Sequence, residues 1–320
     1  MEGSVMLLVF KAFLAPLLLN IFLLVLRLKS WKTWILLSSV TFAWTMSMLM
    51  FVDWALISHY LRIGLSLLMP TAIVYSAWKN RGMPWSRKDS SLFAAFGQSL
   101  LLVLGVLSVL AVLFRIPAIY WNKPPTEAAV QIDFPLKGGI YSVSHGGYST
   151  TINYHYAYPY QTYAIDIVKL NAWGMRNKPF SKPQKPEDYK IYGEPVYSPV
   201  DGKVVKTVDS MNDDLKDLLS LKKSGTSNMV VIAHQDVYIL LLHLQKGSIR
   251  VKEGDTVKKG QWIANVGNSG YSSEPHLHMH AVKILNESNE VFSGSPVPLL
   301  VNGVSLKRND LILNGKIIFR

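Results

Sequence analysis

The sequence predicts an N-terminal all-α bundle of four transmembrane helices, residues 1–123, joined to a C-terminal mainly-β domain of antiparallel sheets, residues 124–320. Three observations carry this reading: four apolar runs near 20 residues each, a later series of short β-branched segments bounded by turn residues, and a change of charge content between the two. The 320-residue chain is 49% hydrophobic and 17% charged, whereas soluble domains carry about 25% charged residues. Residues 1–123 contain 11 Lys/Arg and 3 Asp/Glu, net +8, and the remainder 22 and 18, net +4. The change falls near residues 121–125, which include Pro124 and Pro125. There is no cysteine, which excludes a disulfide scaffold, a cysteine-ligated zinc finger, an iron–sulfur cluster and a thiol nucleophile.

The apolar runs cover residues 4–26, 33–57, 61–78 and 91–114, each close to the ~20 residues that cross a bilayer core. The first hinge holds Arg27, Lys29 and Lys32, the second His59 and Arg62, and the third Lys79, Arg81, Arg87, Lys88 and Asp89. Positive charge marks the cytoplasmic side, so the first and third hinges are expected inside, and both termini, with the C-terminal domain, outside. Trp31, Trp34, Trp78, Trp85, Tyr120 and Trp121 fall where interfacial aromatic belts are expected. The first run is too long for a cleaved signal peptide and lacks an obvious small-x-small cleavage site. Lys11 can snorkel from its span, and Asp53 lies near the outer end of the second. The basic excess fits topology and anionic lipid; with no basic stripe, nucleic acid is a poor partner and the lipid bilayer a natural one.

Beyond the prolines, strands are expected at 140–143, 163–168, 203–208, 228–233, 237–243, 262–266 and 276–282, each short and bounded by turn residues. Residues 171–190, rich in Lys and Pro, read as a loop. Leu215, Leu218, Leu219 and Leu221 predict a short helix within 211–223.

Seven of the eight histidines fall in the second domain, three of them in His276-Leu277-His278-Met279-His280. Residues two apart in a strand share a face, so three imidazoles line one side. Imidazole is a zinc ligand and a proton carrier near neutral pH; the plainer alternative is an exposed polar strand face.

The segment Gly267-Asn268-Ser269-Gly270-Tyr271-Ser272-Ser273-Glu274-Pro275-His276-Leu277-His278 resembles the signature of the lysostaphin-type (LytM-like) zinc metallopeptidases. The run from Gly193 to Val205, the pair of segments at 230–234 and 238–244, and the hairpin from Val251 to Gln261 are similar to further elements of that family, in its order. The resemblance covers about residues 160–283. It implies a mainly-β fold of the LytM-like, barrel-sandwich type, and hydrolysis of peptide bonds in peptidoglycan. It implies zinc ligands at Asp166 and His278, and places His243 and His276 at the reacting water and the tetrahedral intermediate. Catalytic zinc ordinarily has three protein ligands and an open position for water.

One position departs from the family. Its third ligand is a His four residues before the Asp, and Thr162 stands there. His155 is the expected replacement, ahead of His145 and His280; alternatively His155 is a loop residue and the site is degenerate. His234 reads as structural. Two functions therefore stand: a membrane-anchored zinc endopeptidase acting on peptidoglycan peptides outside the cell, or a degenerate domain that binds peptidoglycan or regulates a partner hydrolase. A biotinyl- or lipoyl-type carrier is disfavoured because no Lys sits in an acceptor context.

Overall fold

The computed structural model describes residues 2–86, 92–120, 129–179, 181–215, 227–284 and 294–320. The chain divides into two compact units, Met1–Trp121 and Asn122–Arg320. The expected junction at 121–125 and the hinge residues Arg87, Lys88 and Asp89 lie outside the described residues.

The first unit contains α1 (Glu2–Val9), which continues through a π-helical turn (Phe10–Leu14) into α2 (Ala15–Val25), then α3 (Trp31–Phe51), α4 (His59–Lys79) and α5 (Leu92–Tyr120). Among the described residues, four helical segments are long and apolar enough to cross a membrane: Met6–Val25, Trp31–Phe51, His59–Lys79 and Ser99–Ile116. Pro16 explains the π turn: it donates no hydrogen bond, and its ring presses on the carbonyl four residues back. In the turn itself the bonds run five residues back, as from the Ala15 N–H to the Phe10 carbonyl, so the N–H that Pro16 lacks leaves the Lys11 carbonyl to accept from Trp44 Nε1 at 3.0 Å. Ser30 caps α3 by accepting from the Thr33 N–H, and Ser58 caps α4 by accepting from the Tyr60 N–H. The second helix stops at Phe51, short of the expected residue 57. Asp53 instead caps a 3-10 turn, Trp54–Leu56, by accepting from the Ala55 N–H. Inside the bundle, Asn20 Nδ2 donates to Thr45 Oγ1 at 3.2 Å and Trp34 Nε1 to Ser76 Oγ at 2.9 Å, polar cross-links between otherwise apolar helices.

The second unit is mainly β: β1 (Val130–Ile132), β2 (Ile140–His145), β3 (Ile165–Lys169), β4 (Pro195–Tyr197), β5 (Gly202–Val208), β6 (Met229–His234), β7 (Val237–Leu242), β8 (Thr256–Val257), β9 (Trp262–Asn265), β10 (Leu277–Lys283), β11 (Pro296–Val297), β12 (Leu299–Val301), β13 (Leu311–Leu313) and β14 (Lys316–Phe319). The main antiparallel sheet runs β14-β13-β2-β3-β10-β7-β6-β5-β8, with β11 also on β10. β4 pairs antiparallel with β9, and β1 parallel with β12. Residues 211–215 are not helical; residues 216–223, which carry most of the leucines behind the expected helix, lie outside the described ones. Asp213 there is tied to the chain ahead of β10, accepting from the Asn268 N–H, an alternative to helical bonding.

Both sheet faces are covered. Leu277, Met279 and Ala281 enter the main core with Ile165, Ile167, Ile239 and Leu241. The opposite face carries a second apolar strip of Met229, Val231, Leu240, Leu242 and Val282. Alternation along β10 therefore puts His278 and His280 on the second face, where they are buried and not an exposed polar edge.

Candidate metal centre

Sheet register assembles the centre. β10 pairs on one side with β3, where His278 stands opposite Asp166, and on the other with β7, where it stands opposite Leu242. Side chains directly opposite share a face and touch. His278 Nδ1 is 2.9 Å from Asp166 Oδ1. His243 follows Leu242 with φ 61°, a left-handed conformation rare outside glycine and costly enough to mark a held position. His276 precedes β10 by one residue, and its Nε2 lies 3.6 Å from Asp166 Oδ1.

His155 arrives from a loop. Asn153 is fully buried; its Nδ2 donates to the Gly147 and Ala164 carbonyls, and its Oδ1 accepts from the His155 N–H. This cross-tie closes the loop between β2 and β3 and sets His155 Nε2 2.9 Å from Asp166 Oδ2. Tyr154 packs its ring on His155, centroids 3.9 Å apart, and meets His145 edge-on at 4.5 Å. Neither Asn153 nor Tyr154 was picked out by sequence reasoning; the run Asn153-Tyr154-His155 held the signal, an Asx residue two before a ligand-type His. Thr162 is turned away, its hydroxyl donating to the Tyr158 and Pro159 carbonyls.

Two sets of side chains are spaced to hold a metal ion: His155, Asp166 and His278, and His243, His276 and His278. In the first, all three residues are buried and two imidazoles meet the two oxygens of one carboxylate. Neutral His and ionised Asp suit zinc, and His276 Nε2 is buried beside them with no hydrogen-bond partner among the described residues. The donor chemistry and that bare nitrogen fit the group the resemblance implies. His280 stands behind, its Nδ1 2.9 Å from His278 Nε2, where such an outer contact orients a ligand imidazole. His145 stands opposite Asp166 between β2 and β3 with its ring 6.2 Å from that of His155, but its Nδ1 accepts from Arg308; His234 Nδ1 contacts the Asp201 carbonyl, away from the cluster.

The tautomers follow from the acceptors. His243 Nδ1 faces the Ser269 carbonyl at 2.8 Å, and His276 Nδ1 the Glu274 carbonyl at 2.9 Å. A carbonyl only accepts, so each Nδ1 donates and each neutral ring keeps a bare Nε2. Burial pushes His243 well below the usual imidazole range, with His276 and His278 adding to it. Burial likewise lowers His280, and lowers His278 to about 4 against hydrogen bonding to Asp166. Burial alone would raise Asp166; charge on His155 and His276 and bonds from His155 and His278 outweigh it and hold the carboxyl well below its usual range. The cluster is an ionised carboxylate among buried imidazoles.

A pH dependence follows. A histidine depressed in the folded state takes up its proton first in the unfolded chain, so stability falls as pH drops below the unfolded value. For His278 the window runs from about 6.5 to about 4, a loss of about 3 kcal/mol at ~1.4 kcal/mol per pH unit. The depressed Asp166 adds its own loss lower, below about 3.8. Metal-free protein is expected to melt at progressively lower temperature across the first window; a flat profile there contradicts this.

An ionised aspartate gripped by imidazoles on a central strand, with two further imidazoles beside it, makes a metal-binding type of centre on an antiparallel β scaffold, as the resemblance to zinc metallopeptidases implies. The chain belongs to peptidase family M23. The model of that family matches residues 184–291, which include His243, His276 and His278; Asp166 and His155 precede the matched segment. The lipoprotein NlpD of Yersinia enterocolitica is 30% identical over 81 residues, 25% of this chain and 70% of that protein. The peptidoglycan DD-endopeptidase ShyB of Vibrio cholerae is 40% identical over 91 residues, 28% of this chain. An uncharacterized metalloprotease of Haemophilus influenzae is 36% identical over 99 residues, 30% of this chain. The chain spans 18% of the length of each of these last two relatives. Among solved structures, a zinc-containing peptidase from Vibrio cholerae is 34% identical, covering 30% of this chain and 25% of that one, with a TM-score of 0.23.

Proposed function

We propose that the protein is a membrane-anchored zinc endopeptidase that hydrolyses peptide bonds of peptidoglycan on the outer side of the membrane. The observation that carries this reading is the convergence of His155 and His278 on the two oxygens of Asp166, each at 2.9 Å. It supplies a third ligand-type side chain where Thr162 offers none, and so favours an enzyme over a degenerate binding domain. The printed activity of ShyB supports the substrate class. The positive hinge residues Arg27, Lys29 and Lys32 support the orientation.

In this reading His155, Asp166 and His278 hold the zinc. When bound, the metal polarises the scissile carbonyl and lowers the pKa of water. The protein's own part is proton handling and positioning. His243 and His276, each with Nδ1 donating to a backbone carbonyl, present bare Nε2 atoms suited to take a proton from the attacking water and return it to the leaving amine. Whichever ring is protonated also stabilises negative charge on the carbonyl oxygen. His280 positions His278.

Full-length protein purified in detergent is expected to contain about one zinc per chain and to release peptides from purified cell-wall sacculi, with release stopped by a chelator. Protein without zinc refutes the metal reading. Zinc-loaded protein that binds sacculi without releasing peptides assigns the chain to the binding alternative.

A further inference from the structure

Arg115 is a cation at the far end of the fourth apolar run, one residue beyond 91–114. It lies inside the apolar window Ser99–Ile116 of α5, and its guanidinium sits 5.9 Å from the ring of Phe51. Phe51 is the last residue of α3, at the opposite end from Trp31 and the basic hinge of Arg27, Lys29 and Lys32. The charge rule accounts for basic residues at that hinge, not for one beyond the far end of α3. Among the described residues no carboxylate pairs with Arg115, and a long basic side chain at the end of a span reaches the headgroup level, where phosphate lies.

Beside Arg115 runs a groove of about 530 Å³ between α3 and α5. Small side chains open it: Ala43 and Ser47 from α3, Gly105 and Ser108 from α5. At Gly105 the helices approach closely, a Cβ there standing 3.3 Å from Leu36 and from Ser39. The Ser108 hydroxyl is spent on the Gly105 carbonyl at 2.7 Å, which leaves the groove apolar. From Leu36 to Met48 it follows α3 for ~18 Å at 1.5 Å per residue. The combination is an apolar trough along two helices with an uncompensated guanidinium at its end.

We propose that this groove binds one anionic phospholipid, an acyl chain lying along α3 and α5 and its phosphate on Arg115. The match is one of charge as well as shape. A guanidinium pairs with phosphate through charge-assisted hydrogen bonds, and a headgroup of net negative charge brings no cation of its own to oppose Arg115. The inference is independent of the metal centre.

The test uses full-length protein, stripped of lipid in detergent and titrated with phosphatidylglycerol or phosphatidylcholine, with retained lipid read by native mass spectrometry. Wild type is expected to retain phosphatidylglycerol about tenfold better, the size of one charge-assisted contact. Arg115→Gln removes the preference, and Ser108→Leu, which fills the groove, lowers retention of both lipids. Equal retention of the two lipids by wild type overturns the proposal, as does a preference that survives Arg115→Gln. A dimer that excludes lipid and dissociates in Ser108→Leu assigns the groove to a second copy and overturns it too.

Discussion

Replacing His155 with Ala is expected to weaken zinc binding by more than about 100-fold and to abolish peptide release, while Thr162→Ala leaves both within about twofold. Loss of an outer contact to a ligand already costs about 10–100-fold in metal affinity, and His155 is proposed as a ligand itself. Its Nε2 is 2.9 Å from Asp166 Oδ2, and its Nδ1 lies 3.1 Å from Gln161 Oε1. A Gln carbonyl oxygen accepts, so Nδ1 keeps its hydrogen, and Nε2, which donates to Asp166 in the metal-free protein, would give up its hydrogen to coordinate. The Thr162 hydroxyl points back at its own loop. Zinc content and competition with a chromogenic chelator decide the matter. Full zinc affinity in His155→Ala ends the replacement-ligand idea without touching Asp166 or His278. Loss in Thr162→Ala shows that the family position still ligates through a loop rearrangement.

His243→Ala is expected to keep its zinc and lose about 10²- to 10⁴-fold in turnover, the usual contribution of a positioned acid–base group. The ring is buried, its Nδ1 fixed by the Ser269 carbonyl and within 3.2 Å of Ser227 Oγ. Its backbone accepts φ 61° to hold that orientation. His243→Gln is the control for folding, because its amide can still donate to Ser269 while offering no base. Turnover within tenfold of wild type in both variants, with zinc retained, removes His243 from the chemistry and leaves His276 as the base.

The parts of this molecule legible in the sequence are those with a period. Hydropathy over about 20 residues locates α3 and α4 to within a few residues, although Asp53 ends the second run early by diverting the chain into a 3-10 turn. The alternation in His276-Leu277-His278-Met279-His280 gives β10 and its two faces, because both sides of that strand are dedicated, one to Met279 and the other to His278. Irregular backbone has no such period. The placement of His155 depends on Asn153 reaching carbonyls six residues before and eleven after it. The Tyr154 ring pack and the Arg308–His145 bond depend equally on tertiary closure. A motif supplies residue types, and a loop's cross-ties decide which of them arrive. Residues 211–215, ahead of the leucines at 218, 219 and 221 that lie outside the described residues, are irregular for the same reason: Asp213 has a partner in the chain near Asn268 that leucine spacing does not reveal.

The pairing of Asp166 with His278 joins residues 112 apart in sequence, on strands that meet only when β10 enters between β3 and β7. Contacts of that separation form late, because the loop between them must close first. A chain made from its N-terminus carries His155 and Asp166 well before His278, so a half-finished copy holds two of the proposed ligands and no centre. In the proposed protease the centre is therefore complete only once β10 is seated between β3 and β7, and any event that ejects that strand takes His278 out of it.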